Sequence, residues 1–449
     1  MIALFACLII GHQLILLLVR RRFDPFDVLT LIDVVLFTMW VYAPLVDDSL
    51  RFSLDNDLAF SFTTLMGIGF LYAGLHFPVG NRTANTGVWL KPPTLILRKR
   101  WLILTLILFC GATLLVVYQQ AQLSGVGIWG YLTGERLSIY RRFLNEQYEG
   151  SIANAVISFA RPILLLWLTI ALEKRKWKQA VFLYMIILAS IIMISTTRLQ
   201  VIITLLIPLF YYYYRVRSHR SAILAAILAA VVFLILIYAL NIWRSQGLEG
   251  LRSIDLSLRT VLYALPINFN PMRGYEMLWR LHSVNQLPYE YGLSYLYVPL
   301  TAIPRAIWHD KPLVSHEARW TTYLFGQHFA MALEGWGVWT FTVWGEGLTQ
   351  FGILGVFLNL FLYGLFVNWV RHKFSQNPHF SIVWFYYSIF AATYLRSSFS
   401  ALVWTFLTLV PARYLYFRCI QHWRPLVAGC NFQSTFSRRT MGQMKLGEK

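Results

Sequence analysis

The sequence predicts an all-α polytopic membrane protein with about eleven transmembrane helices and one large loop. Three observations predict it. Apolar residues make up 57% of the chain, charged residues only 13%, and mean hydropathy is +0.55. A soluble domain carries about 25% charged residues. Apolar stretches long enough to cross hydrocarbon recur along most of the 449 residues. The net charge of +19 falls almost wholly in the loops on one side of those stretches, the asymmetry that orients membrane proteins.

The expected spans are residues 2–19, 28–45, 58–77, 101–118, 152–172, 180–195, 201–214, 221–240, 351–370, 381–395 and 401–417. Their loops alternate in charge. Arg20–Arg22, Leu97–Arg100, Glu173–Lys178, Arg215–Arg220 and Arg371–Lys373 are basic and read as cytoplasmic. Asp47–Asp57 is acidic and reads as periplasmic. The N terminus is therefore expected outside and the C terminus inside. The chain divides into a first bundle (1–240), a large periplasmic loop (241–350), a second bundle (351–417) and a basic cytoplasmic tail (418–449). The first apolar stretch has its arginines after it, so it reads as a retained span.

Several function classes are disfavoured. A nucleic-acid surface would gather its basic residues in one patch, and here they are spread over successive short loops. Cys7, Cys110, Cys419 and Cys430 form no CxxC or Cys/His cluster, so neither zinc nor a disulfide framework is expected. P-loop, HExxH and GxSxG signatures are missing. Asp55-Asn56-Asp57 resembles a cation-binding DxD, but it lies outside, where nucleotide sugars are not found, and reads as a solvated acidic turn. Asn81-Arg82-Thr83 matches a glycosylation sequon but is expected inside. No matched pair of broken helices marks an inverted-repeat transporter.

The informative residues are arginines near the outer helix ends: Arg198, Arg244, Arg305 and Arg396, with Arg161 inside a span. An arginine at membrane depth is costly unless it faces a cavity or a partner. Several lining one outward cavity suit a multivalent anion such as pyrophosphate, which the guanidinium fork matches bidentately. Each could instead anchor at the interface or pair with a carboxylate. Asp33 is the carboxylate deep in a span, expected beside a buried arginine or a headgroup. Two longer motifs lie in and after the loop. Ile303–Pro312 reads IPRAIWHDKP, with prolines bracketing Arg305, Asp310 and Lys311. Trp344–Gly355 reads WGEGLTQFGILG and leads into a span. Glu346 in it is either a helix cap or a general base.

These two motifs resemble elements of the bacterial O-antigen and oligosaccharide repeat-unit polymerases (Wzy-type). IPRAIWHDKP resembles their IPR-x-(I/L)-W-x-x-KP stretch, and WGEGLTQFGILG the Gly-Glu and Phe-Gly-x-x-Gly element that opens their late spans. Ser195–Phe210 resembles their short outward turn with an arginine ahead of an apolar span. A pattern of two arginine-bearing loops, each followed by glycine, is not met: the corresponding positions are Leu209 and Leu407. The resemblance implies a GT-C-like membrane fold in the bacterial inner membrane, with the active site facing the periplasm. It implies a glycosyltransferase that joins undecaprenyl-pyrophosphate-linked oligosaccharide repeats into a surface polysaccharide of lipopolysaccharide biosynthesis. No cofactor or metal is implied. The expected partners are the lipid-linked oligosaccharide and the bilayer, and a chain-length regulator is compatible with the family.

On that reading Arg198, Arg244, Arg305, Lys311, Arg396 and Arg161 bind pyrophosphate. Glu346, His328 and Glu317 are the catalytic candidates, with Glu334 and His316 as further possible bases. Tyr289, Tyr291, Trp308, Trp320, Trp336 and Trp339 are available to stack on sugar rings or to sit in the interface. An O-antigen ligase is the nearest alternative, but ligases carry a His-Asn element where this chain reads VWTFTVWGEG. A flippase of lipid-linked sugars is the alternative of another class, and it has no use for so large an outer loop. The topology is checked by reporter fusions after Lys178, Gly250 and Lys373, which should report cytoplasm, periplasm and cytoplasm. A cytoplasmic signal after Gly250 overturns it.

Overall fold

The computed structural model describes residues 1–20, 24, 27–78, 99–123, 127–128, 130, 152–194, 198–216, 272–303, 308, 316–325, 340–375 and 381–410, with isolated positions between 224 and 242. No strand occurs among the described residues. In chain order the helices are α1 (Ile2–Arg20), α2 (Val28–Phe37), α3 (Asp48–Asn56), α4 (Leu58–His76), α5 (Lys99–Leu123), α6 (Ile152–Glu173) and α7 (Trp177–Ile194). There follow α8 (Arg198–Val216), α9 (Met272–Ser283), α10 (Leu293–Tyr297), α11 (His316–Phe325), α12 (Thr342–Ser375), α13 (Ser381–Thr393) and α14 (Phe399–Leu407).

Among the described residues, 7 stretches are long and apolar enough to cross a membrane: α1, α2 with its continuation to Leu45, α4, α5, α6, α7 and α12. The chain is thus an all-helical, multi-pass membrane protein. The expected span 201–214 lies within α8, and 381–395 within α13 and the turn Tyr394–Arg396. The span 401–417 begins in α14, and 221–240 falls mostly outside the described residues. These helices leave apolar side chains on outer faces, such as Leu18 and Val19 of α1, Ile107 of α5 and Phe182 of α7. Such all-round apolarity suits lipid on one side and helices on the other.

Local chemistry sets the helix ends and bends. Pro44 offers no amide and crowds the preceding turn, and α2 continues there through a π-helical stretch, Thr38–Tyr42. Asp57 of the Asp-Asn-Asp run caps α4 by accepting the Phe60 amide at 2.8 Å. The same carboxylate accepts the Trp279 indole N–H at 2.7 Å. With Arg273–Asp47 at 2.9 Å and the Ser53–Glu276 hydrogen bond, this fastens α9 across α3. The acidic run is thus a clamp for a loop helix. We call this the loop end of the bundle.

Asp33 is partnered by no arginine. It accepts from His12 Nδ1 at 2.6 Å, from the Tyr72 hydroxyl at 2.7 Å and from Gln13. His12 Nε2 in turn meets His76 Nε2 at 2.8 Å. Neighbouring helices thereby supply the hydrogen bonds a buried carboxylate requires.

The most extensive helix pair is α4 against α12. Close approach needs small residues, and Gly74 and Gly364 provide it. A Cβ on Gly74 would lie 2.2 Å from the Phe361 carbonyl oxygen, and one on Gly364 2.3 Å from that of Leu71. Gly69 of the same helix faces open space. Gly74→Val should therefore destabilise the protein by about 1–3 kcal/mol, the usual cost of overpacking. Gly69→Val should stay within about 0.5 kcal/mol of the parent. Thermal unfolding in detergent compares them, and equal midpoints for the two variants contradict this packing.

Candidate active site

The WGEGLTQFGILG motif builds the centre of the loop end. Its helix α12 is two limbs, residues 342–350 and 353–375, joined at Phe351 (φ −143°) and Gly352 (φ +66°, ψ −149°). That second conformation is essentially restricted to glycine. The limbs run antiparallel, side by side. Asn359 of the long limb donates to the Val343 carbonyl of the short limb at 2.8 Å. A Cβ on Gly355 would fall 2.1 Å from the Gly347 carbonyl oxygen, so both glycines are required where the limbs touch. The short limb starts at Thr342, whose hydroxyl accepts the Gly345 amide at 3.2 Å.

Glu346 sits midway along the short limb and is wholly buried. It caps a helix, but a different one from that expected. Its carboxylate accepts the Phe399 amide at 2.5 Å and the Ser400 amide at 3.3 Å, while Ser398 Oγ accepts the Ala401 amide at 3.3 Å. The first three amides of α14 are thus satisfied, two of them by a carboxylate from another helix. This fixes the turn that follows Arg396. Glu317 holds the same turn from the other side by accepting the Ser397 hydroxyl. Burial pushes the Glu317 carboxyl up, but neighbouring His316 and Ser397 outweigh it, so Glu317 stays below the ordinary carboxylate value.

A third carboxylate, Glu290, organises the loop before α11. It accepts Arg319 Nε at 3.0 Å and Nη2 at 2.9 Å, Ser294 Oγ at 2.8 Å and Gln350 Nε2 at 2.6 Å. Burial alone would raise it; the His316 and Arg319 contacts hold it well below the usual carboxylate range. Gln350 also accepts the Gly292 amide at 2.8 Å, which ties α10 to the α12 reversal. His316 lies between these groups and is fully buried. Tyr295 reaches Asn359 at 2.9 Å and closes the cluster on the long limb.

Arg161 belongs to the same end. Its Nη1 donates to Gln200 at 3.0 Å and to the Tyr386 hydroxyl at 3.2 Å, and its buried Nε has no acceptor among the described residues. It is near enough to act electrostatically on Tyr394, two residues before Arg396. The structure therefore brings together Glu346, Glu317, His316, Arg396 and Arg161 of the expected residues. Arg244, Arg305, Lys311, His328 and Glu334 lie outside the described residues. Arg198 begins α8, two residues before Gln200, and only its backbone is described. Of the aromatics, Tyr289, Tyr291 and Trp308 are exposed, whereas Trp320 is buried against Tyr323. Trp336 and Trp339 lie outside the described residues. The sequence reading missed Glu290, Arg319, Ser294, Gln350 and Asn359. The available signal was the His-Glu-x-Arg spacing of 316–319, which puts a base, an acid and a cation on one helical turn.

The chain is thus a multi-pass helical membrane protein that gathers buried Glu317, Glu346 and His316 beside partly buried arginines at one end. The chain belongs to the O-antigen polysaccharide polymerase Wzy family, whose model matches residues 1–419. Comparisons with curated proteins and with solved structures gave no match.

If Glu346 ties the Arg396 turn, Glu346→Ala leaves the Phe399 and Ser400 amides without their acceptor. Each buried unsatisfied donor costs about 1–3 kcal/mol. Glu346→Gln retains one carbonyl oxygen and should lose less. Thermal unfolding with limited proteolysis near Arg396 tests this; an alanine variant as stable and protected as wild type rules the tie out.

Proposed function

We propose that this chain polymerises undecaprenyl-pyrophosphate-linked oligosaccharide repeats at the periplasmic face of the inner membrane. The observation that carries the reading is the cluster of Glu290, Glu317, Glu346, His316, Arg161 and Arg396 on a chain of the Wzy family. A growing chain is transferred from its lipid pyrophosphate to a hydroxyl of the next lipid-linked repeat. The bond from the anomeric carbon to the pyrophosphate oxygen breaks, and the leaving group departs as undecaprenyl pyrophosphate. The donor is already activated, so the reaction consumes no ATP and no nucleotide sugar. Charge develops on the leaving pyrophosphate, and preformed arginines stabilise it without reorganising at the moment of reaction. Arg161 and Arg396 are candidates for that role, as are Arg198, Arg244, Arg305 and Lys311 on the sequence alone.

The test is purified protein given only a lipid-linked repeat unit. A polymerase builds a ladder spaced by one repeat and releases undecaprenyl pyrophosphate. A ligase does nothing without its own acceptor, and a flippase only moves the substrate. In cells, deletion should leave surface glycan capped with single repeats; complete loss of the glycan favours a ligase or flippase. Arg161→Lys and Arg396→Lys keep charge but lose the bidentate fork. Each should slow the ladder about tenfold or more, as expected for losing a charge-assisted hydrogen bond of about 1.5–3 kcal/mol. Undiminished rates in both exclude them from the anion site.

A further inference from the structure

We infer that His316 is the catalytic base that deprotonates the acceptor hydroxyl, with Glu290 as its positioning residue. The assignment rests on the polymerase reading above. His316 is fully buried. Its Nδ1 lies 3.3 Å from Ser294 Oγ and 3.8 Å from Glu290 Oε2. Ser294 has no hydrogen to offer the imidazole, because its hydroxyl donates to Glu290 at 2.8 Å. The serine oxygen receives Arg319 Nη2 at 2.7 Å and Gln350 Nε2 at 2.9 Å. With its one hydrogen and both lone pairs engaged, Ser294 neither donates to nor accepts from Nδ1, and the charge facing that nitrogen is the Glu290 carboxylate at 3.8 Å, which favours the ring proton there. Nε2 is left with its lone pair.

That Nε2 is buried and has no hydrogen-bond partner among the described residues. A buried acceptor without a donor calls for an explanation, and an arriving substrate donor supplies one. A sugar hydroxyl is a donor of the right kind. The neighbouring carboxylates are already engaged, Glu346 with the amides of α14 and Glu317 with Ser397. A base that faces a carboxylate at one nitrogen and is unpartnered at the other, among the described residues, is the arrangement general-base catalysis requires. The ionisable groups facing the imidazole are Glu290 from the preceding loop, Glu317 and Arg319 from its own helix, and Glu346 from the short limb of α12.

In the step, the acceptor O–H bond breaks and its proton passes to Nε2. The freed oxygen pair forms the new bond to the donor's anomeric carbon. The old bond to pyrophosphate breaks and its electron pair leaves with the pyrophosphate. The imidazolium, stabilised meanwhile by Glu290, then returns the proton to solvent.

The experiment uses the full chain in nanodiscs with the undecaprenyl-pyrophosphate-linked repeat. His316→Gln should lower kcat at least about 10²-fold, the usual contribution of a general base, while substrate binding persists. Added imidazole should restore turnover to His316→Gly. For wild type, kcat/KM should fall on the acid side with a single-proton limb, since a protonated imidazole accepts nothing. Glu290→Gln removes the charge that favours the imidazolium, so that limb should move to lower pH with a lower kcat. A merely structural Glu290 would leave the limb in place. His316→Gln turning over within about threefold of wild type overturns the proposal. If that variant does not fold, a wild-type profile with no acid limb overturns it equally. A wild-type protein that makes no ladder at all defeats the polymerase reading itself, and this assignment with it.

Discussion

A helix can double back on itself only if its backbone leaves the right-handed region and its two limbs can touch. In α12 both conditions fall on glycine. Gly352 takes the conformation that side chains forbid, and Gly347 and Gly355 let the limbs meet backbone to backbone. The consequences reach well beyond the reversal. The short limb places Glu346 against the start of α14, Gln350 against the Glu290 loop, and Val343 against Asn359. A continuous helix over 342–375 would point those side chains along one rod. The reversal makes them face three separate segments instead.

What the reversal positions is mostly charge, and charge removed from water must be answered locally. Each buried carboxylate is answered differently. Glu346 is held by main-chain amides at a helix N-terminus, Glu290 by a bidentate guanidinium and two side-chain donors, and Glu317 by a serine hydroxyl beside His316. Glu346 and Glu317 fix the same few residues, 397–400, while Glu290 fixes the loop that packs beside them. The Arg396 turn is thereby held rigid by groups whose own positions depend on α12. Rigid placement is what electrostatic catalysis needs, since a donor that must move to meet developing charge gives back much of its advantage.

The helical membrane class was legible in composition and charge alone, because hydrocarbon admits few architectures and loop arginines record orientation. The WGEGLTQFGILG motif was legible as important, but not as a reversal. A lone Phe-Gly inside an apolar run reads as a mild helix defect, and only the contact between Gly347 and Gly355 reveals the fold-back. Glu346 was legible as a cap or a base, yet the helix it caps lies 53 residues further along the chain, beyond any local pattern. Asp33 was expected beside a buried arginine or a headgroup and lies against histidine and tyrosine, since three helices decide its neighbours. Arg319 carried a local signal in the His-Glu-x-Arg spacing of α11, but its pairing with Glu290, a loop carboxylate 29 residues earlier, carries none.

The arginines of the loop end separate into two kinds, and the separation bears on the anion site. Arg319 is matched by the carboxylate of Glu290 and packs 5.0 Å from the Tyr297 ring centroid, so its charge is spent within the protein. Arg161 is held by neutral groups, the amide oxygen of Gln200 and the hydroxyl of Tyr386, with its buried Nε unanswered among the described residues. Neutral partners orient a guanidinium without cancelling its charge. A cation kept at helix depth on those terms raises the local potential where a carboxylate partner would have quenched it. Such a position favours an incoming dianion over the protein's own acids. Glu317 and Glu346 are engaged by Ser397, Phe399 and Ser400, so neither quenches the charge that the proposed pyrophosphate site would draw on.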